Sequence, residues 1–107
     1  MQTPGPESKR AEAIQTYFLG DSVLYHEFLR SCCQQFPADI VQGDAACAAR
    51  DWSALRVMAH NLKSILLTLG YPELHAQARS LEQSCLAGDG RQSAALWEAV
   101  RSGLPRN

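Results

Sequence analysis

The stretch Asp51–Gly70, DWSALRVMAHNLKSILLTLG, constrains the fold of this 107-residue chain more than any other. At about 100° of rotation per residue it reads as one helix with two unlike faces. Leu55, Ala59, Leu62, Leu66 and Leu69 fall on one side, with Met58 at the edge, and make a seam that other helices must cover. Arg56, His60, Lys63, Ser64 and Leu67 fall on a different side. Asp51 suits the N-cap and Gly70 the C-terminal stop.

The flanking sequence repeats this helical period. Residues 1–6 (MQTPGP) lack periodicity and read as a tail or as the end of a linker. A short helix follows over about residues 7–19, with Ala11, Ile14, Tyr17 and Phe18 recurring and Gly20 ending it. Asp21 or Ser22 can cap a long helix from about Ser22 to Ala48, inward at Val23, Leu24, Phe28, Leu29, Cys32, Phe36, Ile40 and Cys47. Pro37 removes one backbone donor and should kink it, and Gly43 should weaken its last third. After Gly70, Pro72 and Glu73 suit a first turn, and Leu74, Ala78, Leu81 and Cys85 form the next seam. Gly88-Asp89-Gly90 is a break. A last helix spans about Arg91 to Ser102, with Ala95, Leu96, Ala99 and Val100 inward and Gly103 and Pro105 closing it. Trp52 and Trp97 are expected near helix ends. No strand-like alternation occurs. Short loops make successive helices antiparallel. The expected fold is all-α: an up-and-down antiparallel four-helix bundle over residues 7–104, with the extra short N-terminal helix laid across one end.

Charge and composition exclude several classes of function. Ten basic residues against eleven acidic ones give a net charge of −1, with no basic stripe for nucleic acid. No apolar run approaches the roughly 20 residues that span a bilayer, and the N-terminus has no signal-peptide pattern. A cytoplasmic location follows, without membrane contact by this domain. The four cysteines, Cys32, Cys33, Cys47 and Cys85, contain no Cys-x-x-Cys pair and read as small apolar residues. No metal site is expected, since His26, Cys32 and Cys33 fit no standard ligand spacing. His26 and His75 read as structural or surface residues.

His60 is the candidate nucleophile, because a neutral imidazole can attack activated phosphorus and hold the phosphoryl group as a phosphoramidate. That group would bring about −1.5 to −2 charges, by analogy with other phosphorylated residues. Lys63, three residues on, can place an ammonium beside it. Glu82 lies twenty-two residues after His60, and a hairpin reversing near Gly70 can set its carboxylate against one ring nitrogen. A bundle face has neither deep pocket nor lid, which suits a carrier better than a self-sufficient enzyme. No nucleotide-binding glycine-rich motif is present, so a stand-alone kinase is disfavoured.

The sequence AHNLKSILLTLG, followed by Leu74 and Leu81-Glu82, resembles the histidine-containing phosphotransfer (HPt) domain of multistep phosphorelays. The lead-in with Asp51-Trp52 and Leu55 is similar too, and the resemblance covers nearly all of the chain after about residue 20. It implies a four-helix bundle, a phosphohistidine at His60, phosphate stabilisation by Lys63, and a Glu82 side chain near the histidine. It also implies exchange with aspartates of response-regulator receiver domains, which bring the Mg²⁺; this domain itself binds no cofactor. The receiver of a parent hybrid sensor kinase is one such partner. The domain is then either free-standing or the C-terminal piece of such a kinase, tethered through it to the inner membrane, and the linker-like start favours the second. Ser64 stands where most members have glycine, and Ile65, Leu66 and Leu67 where small residues are usual. Ser64 and Leu67 are candidate receiver-docking residues, with Arg56 joining Lys63 in a charged rim around the Leu67 patch. The rival reading is a helical interaction module that docks receivers or other partners and is never phosphorylated.

Overall fold

A computed structural model describes residues 6–106 of the chain. All but Pro6 of the expected tail lies outside the described residues. Pro6 itself starts the first helix. Five helices follow in order: α1 (Pro6–Phe18), α2 (Ser22–Ala48), α3 (Trp52–Leu69), α4 (Pro72–Leu86) and α5 (Gly90–Gly103). Three of them start with the same device, an aspartate outside the helix whose carboxylate accepts the backbone N–H three residues on. Asp21 takes Leu24 N at 3.0 Å, Asp51 takes Ala54 N at 3.1 Å and Asp89 takes Gln92 N at 3.0 Å. Each satisfies a donor that the first helical turn leaves unpaired. α4 instead has Pro72 in its first turn, which leaves one fewer donor to satisfy.

α2 to α5 form a closed ring in which α2 packs on α3, α3 on α4, α4 on α5 and α5 back on α2. The α3 seam is buried at every expected position: Leu55, Ala59, Leu62, Leu66 and Leu69. Ala78, Leu81 and Cys85 of α4 meet it, with Leu74 partly covered. α2 remains one helix through Pro37, whose ring lies on the exposed side. The first turn of α2 departs from expectation. Val23 and Leu24 are exposed, and Tyr25 is buried instead. Tyr25 stacks edge-on against Phe18 at 5.4 Å and donates its hydroxyl to Leu69 O at 2.7 Å, so the polar tip is satisfied where it is buried. In α1, Ala11 and Tyr17 are exposed and Ala13 takes the inward place.

α5 is rotated from the expected phase. Ala95 is exposed, while Ser93 and Trp97 join Val100 in the interior. Ser93 Oγ meets Ser84 Oγ of α4 at 2.8 Å, so two buried hydroxyls satisfy each other. Trp97 lies in mid-helix rather than near an end. Its ring fills the space above Gly43 of α2, where an added Cβ would stand 2.0 Å from the indole. Gly43 is thus the recess that lets α2 and α5 close. The indole N–H is donated to Asp44 Oδ1 at 2.8 Å, and Arg101 of α5 donates to Asp44 Oδ2 at 3.1 Å.

α1 packs on α3 and α2 across the end of the bundle at Gly70. Gly70 has φ +84° and ends α3, with its N–H on Leu67 O and that of Tyr71 on Leu66 O. It is also where α1 crosses, because a Cβ there would come within 2.7 Å of Lys9 O.

Candidate functional site

On the exposed face of α3, a side chain of α4 bonds both His60 and Lys63. His60 Nδ1 lies 2.7 Å from Glu82 Oε2 of α4. Lys63 Nζ donates to the other oxygen of the same carboxylate, Oε1, at 2.8 Å. Glu82 therefore joins the two residues that sequence spacing singles out. The antiparallel α3–α4 register sets this up, helped by His75 Nδ1, 2.8 Å from Lys63 O. The three side chains differ in access: His60 is 57% exposed, Lys63 25% and Glu82 14%.

The electrostatics follow from that arrangement. The hydrogen bond from Lys63, and secondarily the one from His60, holds the Glu82 carboxyl below its ordinary range. An ionised carboxylate only accepts hydrogen bonds, so Nδ1 of His60 carries the proton. In the neutral ring the free lone pair is then on Nε2, the nitrogen away from Glu82. The arrangement can present one defined nucleophilic nitrogen to a partner, with an ammonium beside it.

The surroundings are partly as expected. Ser64 is exposed one turn on from His60, and Leu67, 46% exposed, lies two turns on. Arg56 is half-buried, and its charge lies near enough to Cys85 of α4 to oppose the rise that burial causes in that thiol's pKa. Sequence reasoning missed two exposed apolar side chains here: Val57, one turn before His60, and Leu86, one turn after Glu82. It also missed a groove of about 460 Å³ beside His60, walled by Gln35, Asp39 and Gln42 of α2 and by Met58, Asn61 and Ile65 of α3. Those α2 residues are polar and carry no motif, so only the packing of α2 on α3 brings them to the site. His26 is remote in role, with Nδ1 on Ser22 O of its own helix at 2.7 Å. Among the described residues no group of three or more His, Cys, Asp or Glu side chains could hold a metal ion. No helix among them is long and apolar enough to cross a membrane.

The family model of the Hpt domain matches residues 27–106, from the second turn of α2 to the end of the described chain. The chain belongs to the Hpt domain family. Neither the curated proteins nor the solved structures gave a match. Hpt domains act in histidine phosphotransfer within phosphorelays and interact with response-regulator receiver domains. In this Hpt domain, α1 and residues 22–26 lie outside the matched span.

Proposed function

We propose that His60 is the phosphoryl carrier of this domain, receiving the group on Nε2 from a receiver aspartate and passing it to another. The hydrogen bond that Nδ1 donates to Glu82 is the observation that carries this reading, because it leaves Nε2 as the nitrogen able to react. In the forward step the Nε2 lone pair forms an N–P bond as the P–O bond of the aspartyl phosphate breaks. The aspartate carboxylate is the leaving group and stays on the receiver. The ring becomes positively charged as the N–P bond forms, and the Glu82 carboxylate stabilises that charge across the Nδ1–H bond. Charge-assisted hydrogen bonds of this kind contribute about 1.5–3 kcal/mol. Lys63 uses one donor on Glu82 and has two more for phosphoryl oxygens. The receiver supplies the acidic pocket and its Mg²⁺.

Docking on this face would place Ser64, Leu67 and Arg56 at the contact, joined by Val57 and Leu86. A partly apolar patch with a charged rim fits a transient interface. The test is incubation with a phosphorylated receiver and Mg²⁺, followed by detection of acid-labile label on the domain. Wild type should take up label and His60→Gln should not. If wild type binds the receiver without becoming labelled, the domain is a docking module and the carrier reading fails.

A further inference from the structure

We propose that the groove between α2 and the end of α5 is a separate docking site, for an amphipathic helix of a partner protein with acidic residues at one end. The groove has a volume of about 520 Å³, larger than the one beside His60. Phe36, Cys33 and Leu104, all buried, make its floor, and Pro37, Ile40 and Pro105 its sides. At about 100° per residue, Cys33, Phe36, Pro37 and Ile40 share one side of α2. Gln35, Asp39 and Gln42, which wall the groove beside His60, fall on the opposite side. A partner on the α2–α5 groove therefore leaves His60 open, and the inference stands apart from the carrier reading.

Shape and charge select the occupant. The apolar surface runs past the groove, because Pro37 is exposed and Val41, one turn on, is 69% exposed. Arg30 and Gln34 extend the same line toward the start of α2, all four residues being exposed on one stripe. From Arg30 to Val41 that stripe is roughly 16 Å long, three turns of helix. A stripe of this length beside a groove fits a second helix lying along α2, with apolar anchors at helical spacing entering the groove. A small molecule in the groove would leave Val41 uncovered, and a flat bilayer surface cannot enter a concave site. Two arginines line the groove and no acidic residue does. Arg101 is already held by Asp44 and Glu98. Arg106 and Arg30 are exposed and form no ion pair among the described residues. With Trp97 of α5 set against Gly43 of α2, the antiparallel chain brings Arg106 back toward Cys33 and Gln34. Both free charges thus gather toward the start of α2, with Val41 at the other end, and this polarity orients the docked helix.

The test titrates the full chain with a synthetic helical peptide of about 15 residues, leucines at helical spacing and glutamates at one end. A twin carries lysine in place of each glutamate. The glutamate peptide should bind about fivefold or more tightly than its twin, the scale of exposed ion pairs gained rather than opposed. Backbone amide shifts should change at Phe36, Ile40 and Leu104, and not at Asn61 or Ser64. Arg106→Glu should remove the preference for glutamate, and Val41→Glu should weaken the glutamate peptide by about fivefold or more. Both side chains are exposed, so the fold should survive, which circular dichroism checks. Arg91→Glu, at the far end of α5 roughly 15 Å from Arg101, is the control and should bind as wild type does. His60→Gln should also bind as wild type does, whether or not His60 takes a phosphoryl group. Equal affinity for the two peptides, wild-type affinity in both groove variants, or no binding of either peptide would overturn the inference. So would shifts centred on the His60 face, binding to anionic phospholipid vesicles in preference to the peptide, or self-association of the chain that Val41→Glu abolishes.

Discussion

Glu82 serves two neighbours with its two oxygens, and this makes its substitution informative. Glu82→Gln keeps an acceptor for Nδ1 and removes the charge that balances Lys63 and the developing imidazolium. Transfer should slow on the order of tenfold, the effect of losing about 1.4 kcal/mol in the transition state. Glu82→Ala should cost more, because the ring tautomer is then unfixed as well. Lys63→Ala should slow transfer by a similar order and shorten the phosphohistidine lifetime, with helix content unchanged, which label decay and circular dichroism would read. The pH dependence has a definite sign. The carboxyl of Glu82 titrates below its ordinary range in the folded chain, and near about 4.3 when unfolded. Its contribution to stability is thus fully present above that unfolded value and is lost as pH falls through the depressed folded value. The part of the melting-temperature difference between wild type and Glu82→Gln that comes from the Glu82 charge should shrink below about pH 4.

At the scale of helices, the contacts that hold this bundle vary in how visible they are in sequence. The α3 seam is five apolar residues on one stripe, so its period reports both the helix and its buried side. Leu62→Ala should accordingly cost about 2–5 kcal/mol in chemical denaturation. The α5 interior is hidden from that logic. Ser93 is buried yet polar, and its partner Ser84 belongs to another helix. Gly43 looks like a weak point of α2 until Trp97 is placed over it. Gly43→Ala should therefore destabilise by about 1–3 kcal/mol through overpacking, although alanine is the better helix former, and should alter Trp97 fluorescence. The site divides in the same way. His60 and Lys63 are readable from spacing along one helix, and Glu82 from a hairpin argument. That Lys63 also holds Glu82, and that the polar side chains of α2 line a groove beside the histidine, depends on interhelical register.

Across the whole molecule, the cysteines are placed to stay inert. Cys32, Cys33 and Cys85 are buried, Cys47 is partly covered, and burial raises all four thiol pKa values. A thiol held protonated is a poor nucleophile. Brief alkylation of the native chain near neutral pH should modify Cys47 at most, and all four after unfolding, as intact mass would show. The distribution of the site over the fold has a separate result. His60, Lys63 and Glu82 all lie within the α3–α4 hairpin, whose helices are joined by a turn of two residues, Gly70 and Tyr71. The groove beside His60 is walled by α2, and the cleft beside Leu67 by α1. Substitutions in α1 and α2 can therefore reshape the surface around the histidine while the bonded His60, Glu82 and Lys63 stay as they are. In a duplicated copy the outer helices can drift without disturbing that group.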